Sequence, residues 1–220
     1  MKTRRFVAQM NVKNRFYFAG LVIFSAVLSF SAKAQGLSFG AKAGLAYTSF
    51  TGTNIGDIKT SNNWEAGLFA GLQLTSSFVI QPELLISKKG ATQTQNGFRN
   101  NISINYFEIP VLVKFRMPLA HILYPYVELG PDFAFKVSSD FSSTDTQTGT
   151  TISASSGNIK KSDIGGNFGI GADLQLPGLI LILDGRYNIG FMNIGGSGNT
   201  YNIDVKNKGW IISLGVGFHI

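Results

Sequence analysis

Eight stretches of the chain alternate apolar and polar side chains with a period of two, the signature of a strand with one greasy face. The last of them, "GWIISLGVGFHI", places Trp210, Ile212, Leu214, Val216, Phe218 and Ile220 on one face. Opposite them stand mostly small or polar residues, among them Ser213, Gly215, Gly217 and His219. The same pattern recurs in "GLSFGAKAGLAYTSF", "WEAGLFAGLQLT", "FVIQPELLISKKG" and "INYFEIPVLVKFR", and again in "YPYVELGPDFAFKVS", "DIGGNFGIGADLQL" and "LILILDGRYNIGFMN". No helical period competes with it. Many runs exceed the five or six residues usual in soluble strands and reach the roughly 9–11 that a tilted strand needs to cross a bilayer.

The connections alternate in length. "SS", "MPLAHIL" and "PG" are short, whereas "TGTNIGDIKTSNN", "ATQTQNGFRNN", "IGGSGNTYNIDVKNK" and the segment from Ser139 to Ser162 are long and rich in Gly, Ser, Thr and Asn. These longer segments read as solvated loops. Short turns on one side and long loops on the other match an outer-membrane barrel, with the short turns and both termini on the periplasmic side. The expected fold is all-β, an eight-stranded antiparallel up-and-down transmembrane β-barrel.

Opposite the apolar rows lie charges of both signs: Lys42, Glu83, Glu108, Lys114, Arg116, Glu128, Asp132, Asp173, Asp184 and Arg186, with Glu65, Lys136 and Asp163 on the same faces. Alternation by itself fits two arrangements. In a soluble barrel the apolar face turns inward, and a small apolar ligand could bind there. In a membrane barrel the apolar face meets lipid and the charges fill the lumen. Four features favour the second. The apolar face is long and shared by every strand. Aromatics stand near run ends (Phe39, Tyr47, Trp64, Phe78, Phe115, Phe191, Trp210), as a girdle places them. Glycine is abundant inside the strands, where a small closed sheet must bend. The last strand must pair with the first, because lipid cannot satisfy an open edge. Eight strands leave room only for side chains, so the lumen charges are expected to pair with one another as a structural network and to plug the barrel.

Composition sharpens this picture. The chain has 220 residues, no Cys and two His, which removes disulfides, thiolate chemistry and Cys-ligated zinc. The formal charge is +7, but six of the 19 basic residues lie in the first 34 positions with no acid among them, leaving 13 bases against 12 acids. A nucleic-acid-binding surface loses its support. Those 34 residues have a basic start, a 15-residue apolar run from Phe16 to Phe30 and an A-x-A arrangement at Ala32 and Ala34. This is the layout of a signal peptide cleaved after Ala34; Met1 and Met10 both serve as possible starts. The organisation expected is 1–34 leader and 35–220 barrel.

Enzyme chemistry finds no constellation. His121 falls in a short turn and His219 at the C-terminus, away from the outer rim where a barrel hydrolase would need a His, a Ser and an acid together. Glu83 and Glu108 could imitate a glycosidase pair, but a salt-bridge role with Lys114, Arg116 and Arg186 is the simpler reading. "DFSSTDTQTGTTIS" lacks calcium-loop spacing. No catalytic residue, metal or cofactor is expected.

The blocks "GAKAGLAYT", "AGLFAGLQL", "IQPELLISKKGA", "INYFEIPVLVKF", "PYVELGPDFAFKVSS", "DGRYNIGFMNI" and "SLGVGFHI" resemble, in order, the PorT-like outer-membrane β-barrel family of the Bacteroidetes, across essentially the whole mature chain. The resemblance implies an eight-stranded outer-membrane barrel, mostly without an assigned activity, with one branch linked to protein secretion across that membrane. The C-terminus also resembles the signal read by barrel-assembly machinery, carried here by Ser213, Gly215, Phe218 and Ile220, with Ile220 where an aromatic is usual. Expected partners are therefore outer-membrane lipid, the assembly machinery during insertion, and a protein at loop 139–162 or at the periplasmic turns.

Overall fold

The computed structural model describes residues 36–53, 58–95, 97–119, 121–155, 159–195 and 204–220. The leader and its cleavage site lie outside these residues. Among the described residues nine strands form: β1 (Gly36–Thr53), β2 (Lys59–Gln73), β3 (Phe78–Gln95), β4 (Phe98–Arg116), β5 (Leu123–Asp145), β6 (Thr151–Ser155), β7 (Ser162–Leu176), β8 (Leu179–Gly190) and β9 (Asp204–His219). Their pairing order, with β4 also bonded to β5, closes eight of them into an antiparallel ring. The closing seam is β1 on β9, in register from Ser38↔His219 to Thr53↔Asp204. The ninth, β6, stands outside the ring and pairs with β5 alone.

The alternation settles which face is which. Leu45, Leu68, Leu129, Ile170 and Leu214 point outward at 57% to 69% exposure, while Lys42, Glu83, Lys114 and Arg186 point inward at 5% or less. A soluble barrel with an apolar interior is excluded by this orientation. Leu72 departs from its row: it lies between Leu37 and Ile80 on the outward side but is covered, at 2%.

Two aromatic rims bound the apolar band. At the short-turn end Phe39 pairs with Phe218, and Phe78 with Phe115 at 5.1 Å between ring centroids. At the long-loop end Tyr47 and Tyr187 flank Trp210, the latter pair 4.8 Å apart, with Trp64 one strand further on. Phe39 and Tyr47 are eight residues apart on β1, or ~26 Å of strand at ~3.3 Å per residue. A strand tilt of about 35–45° reduces that to roughly 19–22 Å along the barrel axis, a little less than the roughly 25 Å height of an outer-membrane apolar band.

Where they are described, the segments read from sequence as long loops are largely strand. β5 continues to Asp145, and β3 and β4 run to Gln95 and from Phe98, well past the rim. Above the band the outward face of the ribbon turns polar and inward apolar residues thin out, as in "NGFRNN", so the ladder continues after the apolar period has ended. The short side is tight. Gly178, at φ 74° after Pro177, supplies the left-handed position of the β7–β8 turn. Thr75 Oγ1 accepts the amides of Ser77 and Phe78 at 3.3 and 3.0 Å to hold the β2–β3 turn.

Several inward glycines make room for a ring on the neighbouring strand. Gly40 sits between Gly217 and Phe69 in register, and the Phe69 ring lies over both glycines. A Cβ at Gly40 would collide with that ring and with the Val216 carbonyl. Gly40→Val is therefore expected to cost about 1–3 kcal/mol by overpacking and to reduce the fraction of protein running as a compact, unboiled band in SDS gels.

Candidate functional site

The inward faces converge on the lumen, and their order along the barrel axis follows strand position. Nearest the short turns, Phe69, Tyr126, Ile180 and Ile182 form an apolar cluster. Near the long-loop end Phe50, Ala91, Ile104, Tyr106, Ala134 and Ile194 form another. Between and around them run the charges.

Arg186 is the hub. Its Nη1 and Nη2 donate to the two oxygens of Glu83 at 2.7 and 2.8 Å, its Nε donates to Glu128 at 2.5 Å, and Nη2 also reaches Asp184 at 3.1 Å. The planar guanidinium suits this fork, since it offers five fixed donors. Lys42 donates to Asp184 at 2.7 Å and lies 3.6 Å from Glu83. Gln81 and Ser213 donate to Glu83 and Asp184 at 2.7 and 2.6 Å. Four strands are thereby tied across the barrel: β1, β3, β5 and β8, with β9 joined through Ser213.

A second group lies nearer the long-loop end. Lys89 pairs with Glu108 at 2.7 Å and stands 3.6 Å from Asp132, while Ser87 donates to Glu108 at 2.7 Å. Asn188 donates to Asp132 and to Asn167, both at 2.9 Å. A third group, towards the short turns, is looser. Lys114 is 3.7 Å from Glu128, 3.9 Å from Asp173 and 4.0 Å above the Tyr126 ring, and Arg116 is 3.7 Å from Asp173.

All ten charges singled out from the sequence thus fall inside the barrel, in three groups. Glu83 and Glu108, weighed as a glycosidase-like pair, are separated into different groups with different cations. Sequence reasoning left Lys89 out of the network: in "SKKG" one lysine must face out and one in, and the odd-numbered parity shared with Glu83 and Ser87 identifies Lys89. Glu65 and Asp163, which the alternation already places opposite the apolar rows, also face the lumen, at 2% and 4% exposure. Among the described residues the lumen buries eight acids against five bases. One oxygen of each of Glu65, Asp132 and Asp163 (Oε1, Oδ1 and Oδ1) accepts no hydrogen bond.

His121 lies in the β4–β5 connection and His219 pairs with Ser38, so both are at the short-turn end. Among the described residues no group of three or more His, Asp or Glu could hold a metal ion. Of the C-terminal quartet, Ser213 faces the lumen, Gly215 pairs with Lys42 and Ile182, Phe218 stands in the short-turn rim, and the Ile220 amide donates to the Leu37 carbonyl at 2.8 Å.

Comparison with known proteins agrees with this geometry. The model of the outer membrane protein beta-barrel domain family matches residues 25–196. Curated proteins gave no match. Among solved structures, the chain is similar to the outer membrane protein OprG from Pseudomonas aeruginosa, at 11% identity and a TM-score of 0.52, over 86% of this chain and 97% of that one. It is also similar to Neisserial surface protein A, at 15% identity and a TM-score of 0.46, over 83% and 96%. A major outer membrane protein from Thermus thermophilus stands at 14% and 0.46, over 84% and 99%. OprG shares the fold; at such identity no more is transferred. The inverted barrel, the closed ring and the family match lead to one conclusion: this chain belongs to the outer membrane protein beta-barrel domain family.

Proposed function

We propose that this protein is a non-enzymatic outer-membrane barrel whose wall is a rigid mount and whose long polar hairpins present a contact surface outside the cell. One observation carries the reading: ion pairs reaching across from strand to strand fill the lumen, with an apolar cluster toward each end, while the strands continue beyond the lipid band as polar ribbons. Lumen charges of this kind act structurally. A buried ion pair is costly to desolvate, and its use here is to fix which strands face each other. In planar lipid bilayers the purified barrel is expected to give no stable conductance steps; steady openings at modest voltage would identify it as a pore instead.

The contact surface is the β5–β6 arm. Thr146 binds it to the tip of the β3–β4 hairpin, its amide and hydroxyl donating to the Gly97 carbonyl at 2.8 and 2.6 Å. The Asp145 carboxylate caps the tip by accepting the amides of Gln147 and Thr148, which holds its pKa below the ordinary value. A depressed carboxylate stabilises the turn above its unfolded pKa, and that contribution disappears as pH falls through the folded one. Amide exchange at 146–150, corrected for intrinsic rate, should thus speed up in acid in the native chain but not in Asp145→Asn.

Ser213, Gly215, Phe218 and Ile220 serve as the assembly signal in this reading, and the leader through Ala34 directs export. The secretion role of the PorT-like branch rests on the sequence resemblance alone; normal export of other proteins in a deletion strain would sink it.

A further inference from the structure

On three neighbouring strands the outward face changes from apolar to polar at one height. On β2 it passes from Trp64 to Asn62, on β3 from Ile86 to Lys88, and on β4 from Phe107 to Asn105 and Ser103. Just above that line the wall is dented. The β2–β3 ladder is regular up to Glu65↔Ser87 and resumes at Thr60↔Ala91, so four residues of β2 face three of β3, a β-bulge. The break leaves the backbone of Gly90 without its partner strand. Thr48 repairs it from inside: its hydroxyl donates to the Gly90 carbonyl and accepts the Gly90 amide, both at 2.9 Å, and accepts Asn63 Nδ2 at 2.7 Å.

Outside the break lies a recess of about 290 Å³, lined by hydroxyl and amide side chains, one lysine, one isoleucine and no acid. Its floor is already organised. Ser61 and Thr92 hydroxyls are 3.0 Å apart, and Thr92 donates to Asn101 Oδ1 at 3.2 Å. Two groups in it have no partner among the described residues. Ser103 Oγ, on a residue 8% exposed, makes no hydrogen bond, and Lys88 Nζ has no carboxylate within ion-pair distance. A hydroxyl buried without a partner is unfavourable, and here it faces a polar recess.

We propose that this recess binds the phosphorylated sugar headgroup of a lipid in the outer leaflet. Hydroxyls and amides suit sugar hydroxyls, with Ser103 supplying the free one, and the ammonium of Lys88 suits phosphate. The absence of acids in the lining favours an anion. The height decides for a lipid over a soluble sugar. The recess begins at Asn62 and Lys88, each two residues beyond the last outward apolar position of its strand, Trp64 and Ile86. An occupant there has its headgroup in the polar layer, which adds about 5–8 Å to each side of the hydrocarbon, and its chains lie along Trp64 and Ile86. The inference rests on the long-loop side facing outward; the loss or retention of the arm's function does not bear on it.

The test is native mass spectrometry of the folded barrel in detergent, titrated with a phosphorylated glucosamine-disaccharide lipid, with phosphatidylcholine, or with free glucosamine phosphate. The disaccharide lipid is expected to remain bound and to lose about tenfold in affinity, the size of one charge-assisted hydrogen bond, in Lys88→Ala and again in Asn101→Leu. Lys208→Ala, which removes a lysine one residue pair above the rim on another wall, is expected to change nothing. Lys88 is a surface side chain, so its variant should retain the heat-dependent gel shift that reports a closed barrel. Equal binding by wild type and both recess variants overturns the site. An equal loss in Lys208→Ala reduces it to diffuse charge attraction and overturns it too. Binding of phosphatidylcholine or free glucosamine phosphate as tight as that of the disaccharide lipid overturns the choice of ligand.

Discussion

Arg186→Leu is expected to unfold the barrel or bring it close to unfolding. The guanidinium contacts three carboxylates, on Glu83, Glu128 and Asp184, in a lumen that already holds eight acids against five bases. Removing one partner of a buried pair costs about 3–5 kcal/mol because it leaves charge without compensation; here three acids lose their shared partner at once and, among the described residues, keep only Lys42 and Lys114 as nearby cations. The urea midpoint in micelles, followed by the fluorescence of Trp64 and Trp210, should fall sharply with little change in slope. Adding Glu83→Gln to the variant removes one stranded charge and should recover part of the loss. Such recovery is the mark of coupled sites, and an additive double variant would mean that the hub does not act as a unit.

Leu214→Arg carries the second large effect, and its sign depends on the solvent. Leu214 lies midway between Trp210 and Phe218 on β9, beside Ala43 and Leu183, at 66% exposure. An arginine at the bilayer midplane destabilises a barrel by about 2–4 kcal/mol. On a water-facing surface the same substitution is nearly neutral. Refolding into phosphatidylcholine vesicles should therefore show a marked loss, and Thr151→Arg on the polar β6 arm should show none. Equal, small effects at both positions would mean that the outward face of β9 does not meet hydrocarbon.

The wall of the barrel was legible because each strand has one job per face. Leu45, Leu68, Leu129 and Leu214 recur at period two, and their register partners do the same, so orientation followed from parity. Lys42, Asp184 and Arg186 were legible for the same reason. What escaped lies where parity fails. In "LILILDG" both faces are apolar, so Ile180 and Ile182 gave no sign that they cap the short-turn end of the lumen. Phe69 reads as an interruption between Leu68 and Ala70 until Gly40 and Gly217 are seen beneath its ring. Above the rim the outward face turns polar and inward apolar residues thin out, and the ribbons of β3, β4 and β5 read as loop although their ladders continue there. The β2–β3 bulge shifts parity within a polar stretch, so no hydrophobic signal marks it. The pairing of particular charges was legible only in part: Glu83, expected among Lys114, Arg116 and Arg186, takes Arg186, whereas Glu108 takes Lys89, because the partner depends on strand stagger around the ring, a property of closure rather than of any one strand.

The central claim is that the apolar face meets lipid and the charges are enclosed. Cell fractionation followed by SDS gel electrophoresis, with and without boiling, tests it most directly. The account predicts that the protein is found in the outer membrane and that its unboiled band migrates differently from the boiled one, because a closed ring survives SDS until heated. Protein recovered in the soluble fraction with no heat shift would contradict it, and would require that the face carrying Leu45, Leu68 and Leu214 be covered by something other than lipid.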